Sequence, residues 1–125
     1  MPQKILIVDD DKGIVEVIKT ALTKKGYEVF TAGDGNEGIE MVKKSSPDLI
    51  LLDVVMPAMN GYEFLRALKA FNAIEGGAMI PVVVITAKEG MEELFKFEGV
   101  KEYFVKPAES SELIKKIEEY LSSNG

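Results

Sequence analysis

Histidine and cysteine are both absent from this chain of 125 residues. Without cysteine there is no disulfide and no thiolate metal site. Without histidine there is no imidazole-ligated zinc and no Ser-His-Asp triad. A basic block is missing too. Lys and Arg are dispersed, and the formal net charge is −6, which argues against nucleic-acid binding by bulk charge. No apolar run approaches the roughly 20 residues that span a bilayer, and the N-terminus leads straight into a short strand rather than a signal peptide. These absences predict a cytoplasmic chain with neither a membrane nor a nucleic-acid partner of its own. What is present is apolar: 46% of the residues are hydrophobic. That is too many for disorder, and the length suits one domain with a real core.

The apolar residues are grouped. Leu49 to Leu52 is a run of four aliphatics that ends in Asp53. Such a run fits a strand buried on both faces, as in a parallel sheet covered by helices. Lys4 to Val8 and Ile80 to Thr86 read the same way. Tyr27 to Ala32 and Glu102 to Val105 are more mixed and suit the edges of the sheet. Between them lie helical stripes. Ile14, Val17, Ile18, Ala21 and Leu22 mark the first, with Gly26 placed as its C-cap. Ile39 and Val42 mark the second, between an Asp34/Glu37 capping box and the stop at Ser46-Pro47. Phe64, Leu65, Leu68 and Phe71 mark the third, after a second capping box at Asn60/Glu63. Asn72 to Met79, with Gly76 and Gly77, reads as a loop. Met91, Leu94 and Phe95 suggest a short fourth helix closed by Gly99. Leu113, Ile114, Ile117 and Leu121 stripe the last.

Strand and helix therefore alternate five times. That predicts an α/β, doubly wound (βα)5 fold of the flavodoxin-like kind: a parallel five-stranded sheet in the order 2-1-3-4-5 between two helical layers. In that order the first and third strands are neighbours. Asp9, Asp10 and Asp53 then converge at the carboxyl edge of the sheet, where ligands bind. Three carboxylates together repel one another and need a cation. Oxygen donors without histidine or cysteine favour Mg²⁺ or another hard divalent ion. Thr86 and Lys106 end strands on the same edge. A hydroxyl and an ammonium beside a metal–carboxylate cluster suit a phosphoryl group. A carboxylate can itself be the nucleophile and form an aspartyl phosphate. Taken singly, each residue has an ordinary explanation: Asp9 or Asp10 as a helix cap, Thr86 as a strand residue, Lys106 as a solvated lysine. Five polar strand ends on one edge are improbable by accident.

In that order along the chain, Asp9-Asp10, Asp53-Val54-Val55-Met56-Pro57 with Gly61, Thr86-Ala87 and Lys106-Pro107 resemble the response-regulator receiver domains of two-component signalling. The resemblance covers essentially the whole chain, so residues 1–125 are expected to be a single receiver domain. It implies Asp53 as phosphoacceptor. It implies Mg²⁺ held directly by Asp10 and Asp53, through a water by Asp9, and by the backbone carbonyl of Val55. Thr86 and Lys106 would contact the phosphoryl oxygens, and Tyr103 would be the switch aromatic coupled to Thr86. A cis bond between Lys106 and Pro107 is the family habit. The implied partners are a histidine kinase or histidine phosphotransfer protein and an unknown downstream protein, with no catalysis beyond the domain's own phosphorylation and dephosphorylation. The chain departs from the family in three places. Thr86 and Lys106 stand closer than usual, so a truncated fourth helix is expected. The loop at Gly76-Gly77 is long, and Ala108 stands where Phe is common. The alternative is a Mg²⁺-dependent phosphatase of the haloacid-dehalogenase type, suggested by Asp9-x-Asp11, although Lys12-Gly13-Ile14 is not the usual continuation.

Overall fold

The computed structural model describes residues 2–56, 59–75, 79–106 and 110–124. Five strands and five helices alternate: β1 (Lys4–Val8), α1 (Lys12–Lys24), β2 (Glu28–Ala32), α2 (Gly35–Ser45), β3 (Leu49–Leu52), α3 (Gly61–Glu75), β4 (Val82–Thr86), α4 (Glu92–Phe97), β5 (Glu102–Val105) and α5 (Ser110–Asn124). All strand pairs are parallel, and the sheet runs β2-β1-β3-β4-β5, as expected.

The two-residue period of a strand explains how the sheet builds two cores. Leu6, Val8, Ile50, Leu52, Val82 and Val84 face one way, onto Val42 of α2, Phe64, Leu65 and Leu68 of α3, and Phe95 of α4. Ile5, Ile7, Leu49, Leu51, Val83 and Ile85 face the other, onto Ile18 and Leu22 of α1 and Leu113, Ile117 and Leu121 of α5. Apart from Lys4 and Thr86 at their ends, central strands β1, β3 and β4 are therefore apolar, whereas edge strands β2 and β5 are only partly buried.

The helix termini follow the sequence signals. The Glu37 amide donates to Asp34 Oδ1 at 2.8 Å, but the Glu37 carboxylate reaches back to the Gly33 amide rather than to that of Asp34. The Asn60/Glu63 box is fully reciprocal. Gly26 has φ 96°, a left-handed value that ends α1. Ser46 ends α2 with φ 49°, where a side chain is strained. Ser46→Gly is expected to stabilise the fold by about 0.5–1 kcal/mol, the relief of a left-handed Cβ less the greater freedom of glycine when unfolded. A urea midpoint that falls in the variant would refute this.

Two readings need correction. Val17 is 61% exposed rather than part of the buried stripe. It lies about 100° round the helix from Ile18, outside the arc that meets the sheet. And α3 runs on to Glu75, so Asn72 to Glu75 are helical rather than loop. Ala73, Ile74 and Glu75 are all compatible with a helix, and the first breaker is Gly76. Gly76 and Gly77 lie outside the described residues, as do Pro57, Pro107 and Ala108. The fourth helix is short as expected, at six residues. Among the described residues, no helix is long and apolar enough to cross a membrane.

Candidate phosphorylation site

The sheet ladder carries on past the strand ends and fixes the site. The Asp9 amide donates to Ala32 O at 3.0 Å, the Asp53 amide to Val8 O at 2.9 Å, and the Lys106 amide to Thr86 O at 2.7 Å. Asp53 thus follows β3 but is still tied to β1. One carboxylate oxygen from each of Asp9, Asp10 and Asp53 lies within 4.8 Å of the others. Asp9 and Asp53 are buried; Asp10 is exposed. The convergence expected from the sequence is met.

Neither Asp9 nor Asp10 caps α1. That task belongs to Asp11, whose Oδ1 accepts from the Ile14 amide at 3.2 Å. The second acid of the Asp9-x-Asp11 pair is therefore spent on its own helix, and the phosphatase alternative finds no support in it.

Both oxygens of Asp9 are engaged. Oδ1 accepts from the Asp11 amide at 2.8 Å, and Oδ2 takes Lys106 Nζ at 2.9 Å. Lys106 Nζ also reaches Asp53 Oδ2, more loosely, at 3.5 Å. Asp53 Oδ1 accepts from the Val55 amide at 3.1 Å. Burial pushes the Asp9 carboxyl above its ordinary range, the Asp11 amide and Lys106 pull it back, and the Asp53 charge adds to the rise. For Lys106, burial is the largest single influence and works against the ammonium. The hydrogen bond to Asp9 and the charges of Asp9 and Asp53 together outweigh it, and its pKa is raised. Three carboxylates against one lysine leave an excess of negative charge. With only oxygen donors at hand, the cluster fits a hard divalent cation.

Thr86 is fully buried at the end of β4, and its Oγ1 accepts from the Lys88 amide at 3.3 Å. Tyr103 is half-buried on β5, and its hydroxyl donates to Lys88 O at 2.6 Å. Lys88, unremarked as a connector in the sequence, joins the two through its own peptide groups. No residue-type signal could show this, because side-chain identity does not matter there. The Val55 side chain is 58% exposed at the mouth of the site.

Gly61 explains how the β3–α3 connection fits. Its amide donates to Val54 O at 2.8 Å. A Cβ there would stand 2.6 Å from Val54 Cα and 2.8 Å from Asp53 O, both backbone atoms that cannot yield. Gly61→Ala is expected to destabilise by about 2 kcal/mol through overpacking. Unchanged thermal unfolding would show that the loop relaxes freely.

The chain as a whole is similar to known proteins. A family model, the response regulator receiver domain, matches residues 5–118. The chain belongs to the response-regulator receiver family. This receiver domain is 33% identical, over 126 aligned positions, to the DNA-binding response regulator MtrA of Mycobacterium tuberculosis. The match covers 99% of this chain and 53% of that protein, so the chain spans about half the length of the curated relatives it matches. Its structure is similar to the chemotaxis protein CheY4 of Vibrio cholerae, with TM-score 0.84 and 31% identity over 96% of this chain and 99% of that one. It is similar as well to the response regulator TrrA of Thermotoga maritima, solved in complex with Mg²⁺-BeF. There the TM-score is 0.81 and the identity 28%, over 94% of this chain and 98% of that one.

Proposed function

We propose that this receiver domain accepts a phosphoryl group on Asp53 from the phosphohistidine of a kinase or phosphotransfer protein, and that the change alters its binding to a downstream protein. The observation that carries the reading is the Asp53 carboxylate at the end of the central strand, grouped with Asp9 and Asp10 and loosely held by Lys106. In the transfer an Asp53 oxygen attacks phosphorus, a P–O bond forms and the donor's P–N bond breaks. The leaving imidazole keeps the electron pair and takes up a proton. Lys106 neutralises phosphoryl oxygen as charge arrives, exchanging part of its contact with Asp53 for the new anion. Thr86 gives up accepting the Lys88 amide and donates its hydroxyl to a phosphoryl oxygen.

The cation that fits the cluster is Mg²⁺, which supplies Lewis-acid neutralisation of the phosphoryl oxygens when bound. Asp10, Asp53 and the Val55 carbonyl would hold it, with Asp9 acting through water. The supporting relative is TrrA, whose structure contains Mg²⁺-BeF. We take residues 1–125 as one such domain, acting in the cytoplasm, whose catalysis is limited to its own phosphorylation and dephosphorylation. With acetyl phosphate and Mg²⁺, one phosphoryl group per chain should be taken up, without sustained turnover of p-nitrophenyl phosphate. Sustained turnover would reinstate a phosphatase.

The lifetime of the phosphorylated state follows from what stands at the mouth. Val55 and Lys88 line a cavity of about 250 Å³ beside the acceptor, together with Asn60, Tyr62 and Met91. Val55 cannot hydrogen-bond an attacking water, and Lys88 only donates, so neither accepts its proton. Self-dephosphorylation is expected to be slow for the family. Val55→Asn is expected to speed it roughly threefold to tenfold, up to about 1.4 kcal/mol of barrier. Decay of the phosphorylated protein at neutral pH, followed by intact mass, checks this. A variant that decays no faster removes Val55 from the account.

A further inference from the structure

Beyond the coupling of Thr86 to Tyr103, we infer that the state of the site is passed on to α3, through Phe95 and Tyr62, and read at Arg66. The inference rests on the phosphoacceptor reading of Asp53. The first link is the Lys88 peptide, whose N–H donates to Thr86 Oγ1 and whose C=O accepts from the Tyr103 hydroxyl. A hydroxyl that turns to a phosphoryl oxygen releases that N–H. The released segment is the β4–α4 loop, which contains Gly90 at φ 86° and enters α4 without a side-chain cap from Met91; its Gly90 and Met91 amides donate to Glu92 Oε1 at 2.8 and 3.1 Å, so the loop and the first turn of α4 move together.

The loop has room to move. The cavity of about 250 Å³ is bounded by Lys88 and Met91 on the loop side and by Tyr62 on the α3 side. The far end of α4 is held against α3 and the core. Phe95 is fully buried, and Lys69 of α3 is ion-paired with Glu98 at 2.5 Å. A short helix pinned at one end and loosened at the other tilts rather than slides.

Tilting acts on an aromatic chain. The Tyr103 ring lies 6.0 Å from that of Phe95 at 49°, and Phe95 meets Tyr62 edge-on at 6.1 Å and 88°. Ring pairs prefer particular offsets, so turning one member biases the next. Tyr62 carries Arg66, whose guanidinium stands 5.9 Å over the ring and hydrogen-bonds its hydroxyl at 3.4 Å. Three elements, β5, α4 and α3, are thereby linked by side chains whose packing has a direction. The bistable element is the loop, biased from one end by Thr86 and from the other by the ring stack.

The test is NMR of the intact chain with and without Mg²⁺ and beryllofluoride. The Arg66 Nε–H resonance reports the Tyr62 ring current, and the Val55 amide reports occupation at Asp53. In the wild type both should shift. In Phe95→Leu the Val55 response should persist and the Arg66 response be lost. Phe95→Met serves as a second variant, and a cooperative melt certifies that each folds. An Arg66 signal that stays still in the wild type while Val55 responds overturns the relay alone. So does an Arg66 response retained in both variants. A Val55 amide that does not respond overturns the acceptor assignment, and the relay with it.

Discussion

Asp53→Ala and Asp53→Asn are both expected to abolish phosphorylation, lowering the rate by at least about a thousandfold, about 4 kcal/mol of barrier. The three acids of the cluster are not equivalent. Asp9 is buried, and its oxygens are taken by the Asp11 amide and Lys106. A carboxylate so engaged is a poor nucleophile. Asp10 is exposed and lies outside the ladder that fixes Asp9 and Asp53. Asp53 combines a fixed backbone with an Oδ2 that is held only at 3.5 Å. The Asn variant retains an oxygen for the Val55 amide, so it separates loss of the nucleophile from loss of the loop. Intact mass after acetyl phosphate and Mg²⁺ is the measurement. Modification of either variant at the wild-type rate would move the acceptor to Asp9 or Asp10.

The sheet was legible because burial on both faces leaves a strong mark. Ile5 to Val8, Leu49 to Leu52 and Val82 to Ile85 are uninterrupted and all buried. Strand order followed from which runs were mixed. The convergence of Asp9, Asp10 and Asp53 was legible for the same reason, since parallel strands bring their carboxyl ends to one edge. Helix boundaries were less so. Asn72 to Glu75 read as loop because of the glycines that follow, yet Ala73 and Glu75 favour a helix and α3 runs through Glu75. Val17 was misplaced because apolar residues also occur on exposed arcs.

What the sequence could not show was who holds whom. Asp11 rather than its neighbours caps α1. Lys106 bridges two aspartates. Lys88 connects Thr86 to Tyr103 through main-chain atoms that every residue but proline possesses. The Tyr62–Phe95–Tyr103 stack joins positions on three elements that share no pattern along the chain. Contacts of this kind depend on the relative placement of elements to within an ångström or two, and composition and spacing do not encode that.

Asp10→Ala is expected to weaken Mg²⁺ binding about a hundredfold, or about 2.7 kcal/mol. Asp9 is the more tightly held, at 2.8 and 2.9 Å against 3.1 and 3.5 Å for Asp53, so Asp10 and Asp53 are left to supply most of the charge to a hard cation. Binding to the folded chain alone makes the ion a stabiliser: at about 100 times its dissociation constant it adds about 2.7 kcal/mol. The pH dependence follows from Asp9. Burial raises its pKa, so its contribution to stability is full below the ordinary carboxylate range and is lost as pH rises through the folded value. Lys106 is also raised, and its contribution persists until alkaline pH. Above the Asp9 titration the metal-free fold carries the Asp9 penalty, with Asp10, Asp53 and Lys106 around it. A divalent cation relieves that penalty, and protons compete with it. The gain in melting temperature on adding Mg²⁺ should be largest above the Asp9 titration and shrink as pH falls through it. In Asp10→Ala it should nearly vanish at the same Mg²⁺ concentration. A gain that survives the substitution, or that is the same above and below the Asp9 titration, would place the cation elsewhere than on these carboxylates.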